Sequence, residues 1–434
     1  MEFKEGGSAV AKEHKKWYTL DNAGVLYSAL QRKEFSAIYR LSAVMNEPVD
    51  KEALQRAIDR IKPRFPVFFS KIKIGMFWYY LEPNDAPGPF VKDDVRDPCR
   101  PIDFREDQGW LIRFFVYDRR ISIEVFHALS DGVGGMFLLR TLLAEYLRQR
   151  GYEIGPGEGM AVVEEAPHPG ELEDAYARYA GPRKARTRSA AKAYPNRGTP
   201  EPYYTFHITM GFVPVDRLKE RAKQYGASIT EYLAAALLWV LMEKQQRRNP
   251  RHLLPVALAV PINLRSFFET ETLRNFITTI RPSIDPRWGE YTFEEVVRQV
   301  RHYMQLHINR QELRAGFTGN VRFQFHPVLK KIPVVLKNPV MILSYYLAAV
   351  RPYSMTFTNP GPFRVPADME GHIHHIEAVL GQSMQPKVNC AAVSYGNFME
   401  ITFAGTQKET DTERDFFRFL VKEGIPVKVE SNRG

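Results

Sequence analysis

The chain has 434 residues, of which 44% are hydrophobic and 25% charged, and its formal net charge is +10. This length exceeds one ordinary core and predicts two domains, while the apolar content excludes a disordered chain. Cys99 and Cys390 have no His or Cys partner at zinc spacing, which excludes a disulfide framework and a structural zinc site. The polar opening, Met1-Glu-Phe-Lys-Glu-Gly-Gly, followed by Lys12, His14, Lys15 and Lys16, lacks the apolar run of a secretory signal, so a cytoplasmic setting is expected. The basic excess suits nucleic acid, an anionic membrane or a phosphate-bearing small molecule. No nucleic-acid motif organises it, and nucleic acid is not expected as a partner.

Taken in order, Ser36 to Met45 alternates as a strand, and Asp50 caps a helix that places Leu54, Ile58 and Ile61 on one face. Met76 to Tyr80, Trp110 to Tyr117 and Ile121 to Val125 read as strands, with a turn at Asp118-Arg-Arg120. An apolar helix is predicted over Val133 to Arg150, ended by Gly151. Regular patterning stops between Gly155 and about Glu201, where an acidic part (Glu164, Glu165, Glu171) runs into a basic one (Arg178, Arg183, Lys184, Arg186, Arg188). This stretch is read as a linker, giving domains at 1–154 and 201–434 around 155–200.

The second half begins with a strand over Tyr203 to Val213 and a helix from Asp216. Ser228-Ile-Thr-Glu231 and Thr292-Phe-Glu-Glu295 each have the form of a capping box opening a helix. The most membrane-like stretch, Pro333 to Val350, is interrupted by Lys337 and Pro339 and predicts a buried helix from about Pro339 rather than a transmembrane span. A hairpin over Val393 to Phe403 turning at Gly396-Asn397, a helix through Phe416 and Leu420, and a strand over Ile425 to Glu430 complete an α/β chain.

Chemistry concentrates at His127-Ala-Leu-Ser-Asp131-Gly132, where a strand meets a helix. A histidine there is suited to take a proton near neutral pH. The residues equally allow a junction histidine, with Asp131 capping the helix and Gly132 permitting the turn. His372-Ile-His374-His375 offers imidazoles without a third ligand at supporting spacing, so no metal is expected there. Gly132-Val-Gly134-Gly135 lacks the lysine and the spacing of phosphate-binding loops and reads as a place of close backbone packing. Asn275-Phe276 and Tyr345-Tyr346 read chiefly as core aromatics and their neighbours.

The His127 segment resembles the motif of the coenzyme A-dependent acyltransferase superfamily, which includes chloramphenicol acetyltransferase, alcohol acetyltransferases, polyketide-associated acyltransferases and condensation domains. Val260-Pro-Ile-Asn263-Leu-Arg265 resembles an Asn-x-Arg segment of these proteins, and Thr358-Asn359-Pro360-Gly361 their Ser/Thr-Asn-x-Gly segment. Phe126 stands where condensation domains carry a first histidine, and the plant-type Asp-Phe-Gly-Trp-Gly segment is absent, which turns the resemblance towards alcohol acetyltransferase-like and polyketide-associated members. The resemblance implies two chloramphenicol acetyltransferase-like α/β domains with mixed sheets and packed helices around a tunnel. It further implies His127 as general base, Asp131 paired with an arginine, taken as Arg265, and structural support from Gly132. Asn263, Thr358, Asn359 and Gly361 fall in the implied substrate and oxyanion region. The expected co-substrate is acyl-CoA, without a resident cofactor, and the acceptor a small alcohol or amine. An acyl carrier protein as donor, with amide formation, and a catalytically silent binding module are the alternatives.

Overall fold

The computed structural model describes residues 17–31, 35–182, 190–202, 205–382 and 388–433. The basic residues Arg183, Lys184, Arg186 and Arg188, the start of the chain up to Lys16, and Tyr203 lie outside the described residues.

Two larger sheets organise the α/β fold. The first runs in the order 373–380, 38–45, 120–126, 112–117, 91–93. Its central pairs are antiparallel, with Leu41 opposite Ile123 and Phe114 opposite Ile123 on the other side. The helix Lys51–Ile61 packs beside the helix Gly132–Gln149 on this sheet. Asp50 starts the former by accepting from the backbone N–H groups of Glu52 and Ala53, and Leu54, Ala57, Ile58 and Ile61 on its inner face are fully buried. The second sheet runs 277–280, 256–263, 355–358, 388–395, 398–405, 207–214, 428–431, with 283–284 paired beside it. Its backing helix, Ile229–Arg248, is opened by Ser228 and Glu231 in a reciprocal capping box. Thr292 and Glu295 do the same for Phe293–His307.

The hairpin at Gly396-Asn397 has a two-residue turn, Tyr395 pairing with Phe398. One strand crosses between the halves of the sequence: Ile373–Leu380 pairs with Ile38–Met45, so Ile373, Ile376 and Val379 belong to the core of the first sheet. The stretch read as linker is also built in. Arg64 holds Glu171 through two 2.6 Å hydrogen bonds, and Tyr176, in the short helix Ala175–Tyr179, sits in the second core. These anchors are single aromatic and ionic contacts rather than a periodic apolar face, so no helical or strand period marks them.

Two sequence expectations are corrected. Gly75 to Trp78 form the turn between strands Ser70–Ile74 and Tyr79–Pro83 rather than a strand, and Met76 is 72% exposed. The helix expected from Pro339 begins at Val334, after Pro333, and Pro339 lies inside it. Its missing donor is tolerated because the turn that would use it is on the solvent side, next to the largely exposed Val335. Nor is that helix buried as expected: Val334 is its buried residue, while Leu336, Val340 and Leu343 on the outward side are exposed because nothing among the described residues packs over them.

Candidate active site

His127 follows the strand Arg120–Phe126 directly, and its backbone N–H donates to Ala37 O at 2.8 Å, holding it beside the neighbouring strand's start. Its ring stacks on Tyr27, with centroids 4.4 Å apart, and meets the edge of Tyr39 at 5.2 Å. The residue keeps partial solvent access while protein surrounds most of the ring. Desolvation is the largest influence and lowers its pKa below the ordinary histidine value, against the opposing charge of Asp131 and the hydrogen bond to Asn275. The neutral imidazole is therefore the favoured form.

Which ring nitrogen carries the proton follows from its neighbour. Asn275 Oδ1 lies 2.9 Å from His127 Nδ1, while Asn275 Nδ2 donates to the His127 carbonyl at 2.9 Å and to the Asp21 carboxylate at 3.3 Å. Those acceptors fix the amide so that its oxygen faces the ring. An oxygen can only accept, so Nδ1 carries the hydrogen and Nε2 is left with the lone pair. Asp21 itself is fully buried at the N-terminus of the helix Asn22–Leu30, accepting from Gly24 N–H at 2.7 Å, with Arg274 Nη2 3.6 Å away. Burial raises its pKa to about 6, with Arg274 pulling in the opposite direction.

Asp131 is directed elsewhere. Oδ1 accepts from Val133 and Gly134 N–H at 3.1 Å each, and Oδ2 accepts from Arg265 Nη1 at 2.9 Å and from Phe276 N–H at 2.8 Å. Four donors satisfy both oxygens of a carboxylate that is 1% exposed. Arg265 is anchored in turn, with Nε donating to Thr272 O at 2.8 Å and Nη1 to Asn263 Oδ1 at 3.2 Å. Asn263 Oδ1 also accepts from Arg265 N–H at 3.1 Å, capping the short turn 264–266. The structure thus brings Asn263, Arg265 and Asp131 together around the base of the His127 loop.

The glycines divide differently from the sequence reading. A Cβ at Gly132 would meet nothing within 4 Å, and its backbone is outside the left-handed region, so this position is not sterically required for the turn. At Gly134 a Cβ would fall 2.1 Å from Ser130 Oγ and 2.2 Å from Leu273 O, where the motif helix presses on the chain before Asn275. Gly361 does need glycine, at φ +94°. Beside it, Asn359 Oδ1 accepts from Gly361 N–H and Asn359 Nδ2 donates to Thr230 Oγ1, both at 3.1 Å, while Thr358 ends the strand Met355–Thr358 half-buried. The Asn359 side chain therefore ties its turn to the capping-box helix. Phe126 is buried, its ring 5.4 Å from Phe104. Among the described residues, no cluster of three or more His, Cys, Asp or Glu side chains is arranged to hold a metal; His374 and His375 contact each other, and His375 contacts Glu377.

Sequence reasoning did not reach the roles of Asn275, Asp21, Tyr27 and Tyr39. Asp21 before the apolar run from Ala23 was a readable helix cap, but its reach to Asn275 joins positions 254 residues apart.

No family model matches the chain, and no curated protein matches it in sequence. Solved structures do match in fold. Polyketide synthase associated protein 5 from Mycobacterium tuberculosis aligns with a TM-score of 0.62 and 18% identity over 92% of this chain and 96% of its own. TRI3 trichothecene 15-O-acetyltransferase from Fusarium sporotrichioides aligns with a TM-score of 0.60 and 10% identity over 94% of each chain. A variant of the starter condensation domain of rhizomide synthetase, solved with C8-CoA and Leu-SNAC, gives 0.60 and 13%, again over 94% of each chain. The nearly complete coverage in both directions means that the chain has the whole two-lobed α/β fold shared by condensation domains and these chloramphenicol acetyltransferase-like proteins.

Proposed function

We propose that the protein is an acyltransferase that moves an acyl group from acyl-CoA to a hydroxyl or amine, with His127 as general base. The observation that carries this reading is the fixed tautomer: Asn275 Oδ1, 2.9 Å from Nδ1, leaves the Nε2 lone pair for a substrate proton. The fold likeness to a 15-O-acetyltransferase and to a condensation domain solved with C8-CoA supports the substrate class.

In the proposed reaction the acceptor O–H gives its proton to Nε2 as the oxygen attacks the thioester carbonyl. The oxyanion collapses, the C–S bond breaks, and the thiolate takes the proton from Nε2, yielding an ester and free thiol. An amine acceptor would yield an amide by the same path. The chemistry requires neither a covalent enzyme intermediate nor a resident cofactor. Asp131, Arg265 and Asn263 keep the loop in place, and the Thr358 to Gly361 segment is assigned to the oxyanion side of a tunnel between the lobes. The two other readings, an amide-forming enzyme fed by an acyl carrier protein and a silent binding module, make different predictions for free acyl-CoA.

The test is thiol release from a panel of acyl-CoA donors with alcohols and amines, comparing parent and His127→Ala. Acceptor-dependent release by the parent, reduced roughly 10²–10⁴-fold in the variant, is expected. Equal turnover by both proteins would remove His127 from the mechanism, and no turnover with any donor would remove acyl-CoA.

A further inference from the structure

From Leu313 to Ala367 the sequence holds seven Lys and Arg residues and not one Asp or Glu. Within this stretch lies the helix Val334–Tyr345, continued by a wider turn over Tyr346–Val350, and its only charged side chain is Lys337. One face is held by the protein: Val334 is buried, Asn338 Nδ2 donates to Tyr79 O–H at 2.7 Å, and the Tyr345 ring lies 5.8 Å from Phe35. The opposite face carries Leu336, Val340 and Leu343 at spacings of four and three, 65%, 55% and 59% exposed. A surface helix of a soluble protein would be polar there.

The apolar area continues beyond the helix. Met76, at the tip of the adjoining hairpin, accepts from Val334 N–H through its carbonyl at 2.9 Å, and Lys337 Nζ sits 4.1 Å above the Trp78 ring, which is itself 38% exposed. Val328 is 63% exposed on the approach to the helix, followed by the exposed Lys330 and Lys331. A contiguous apolar face of this kind marks an interaction surface. The stretch that carries this face brings cations and no Asp or Glu of its own between Leu313 and Ala367, so the complementary partner is an anionic one that is also apolar. At 1.5 Å per residue the 17 residues of 334–350 reach about 26 Å, short of a bilayer's hydrocarbon core, and one side is already packed on protein. No single helix among the described residues is long and apolar enough to cross a membrane.

We propose that this face docks the protein on an anionic lipid bilayer. Leu336, Val340 and Leu343 enter the interface, with Trp78 at its edge and Lys330 and Lys331 against the headgroups. The docked helix is connected to the candidate base by rings: Tyr345 to Phe35 at 5.8 Å, Phe35 to Tyr27 at 6.5 Å, and Tyr27 to His127 at 4.4 Å. Delivery of a membrane-borne acyl donor or acceptor along this path rests on the acyltransferase reading; docking itself does not.

The test is flotation of the full chain with vesicles of phosphatidylcholine alone or with added phosphatidylglycerol. Binding to the anionic vesicles, weakened by salt and largely absent with the neutral ones, is expected. The triple variant Leu336→Ser, Val340→Ser, Leu343→Ser and the pair Lys330→Glu, Lys331→Glu should each lower the partition coefficient by on the order of tenfold or more. Unchanged circular dichroism and melting verify folding. Failure of the parent to float, or parent-like flotation of the triple variant, would overturn the proposal. So would a parent dimer that the triple variant converts to monomer without vesicle binding in either, which would make the face a contact between copies. None of these readouts involves acyl transfer, so failure of the catalytic reading would be seen separately.

Discussion

Arg265 Nη1 reaches Asp131 Oδ2 at 2.9 Å across 134 residues of sequence, and in doing so connects the strand-end segment of the second sheet to the first turn of the motif helix. Arg265→Ala would leave a carboxylate that is 1% exposed facing one donor fewer and no cation. A loss of about 3–5 kcal/mol is expected, as for other broken buried pairs. Urea denaturation of parent and variant measures it, and a variant of parental stability would show that the pair does not brace the loop.

The orientation of Asn275 leads to a kinetic prediction. Asn275→Leu removes the acceptor at Nδ1 while keeping the side chain's volume, so the ring is free to take the other tautomer or to turn. Acyl transfer should fall through kcat, by about tenfold or more, with KM for acyl-CoA little changed. A rise confined to KM would instead make Asn275 a substrate-binding residue.

Burial lowers the His127 pKa, so the free base persists below the ordinary histidine range. The acid limb of kcat/KM should therefore fall below pH 6.5. An acid limb above that value would assign the titration to another group.

Asp21 titrates in the opposite sense. Its folded-state pKa of about 6 lies above the ordinary aspartate value of 3.8, so the folded protein binds more protons between these values. Stability is then lost as pH rises through this window, by about 3 kcal/mol in total. Asp21→Asn cannot titrate, and the stability difference between variant and parent should move by most of that amount between pH 4 and pH 7; a constant difference would contradict the raised pKa.

Much of the local structure was legible in the sequence because it is governed by near neighbours. The capping boxes at Ser228 and Thr292, the cap at Asp50 and the turn at Gly396-Asn397 each depend on residues within three or four positions. The Asp131 and Arg265 meeting was foreseen through resemblance rather than spacing. The Asp21, Asn275 and His127 connection was not, since an asparagine beside a phenylalanine has no local signature of its role. The helix after Pro333 misled for a related reason: hydrophobic residues all round normally mean burial, and only the tertiary structure reveals the uncovered side.

The strand Ile373–Leu380 has a consequence for biosynthesis. Until it emerges from the ribosome, Ile38–Met45 lacks its outer neighbour and presents an open β-edge through synthesis of more than three hundred residues. The first lobe cannot close vectorially, one half after the other. A gene cut within 155–200 would therefore encode an N-terminal product with an unpaired edge, and co-expressing the two fragments would require them to find one another through that strand.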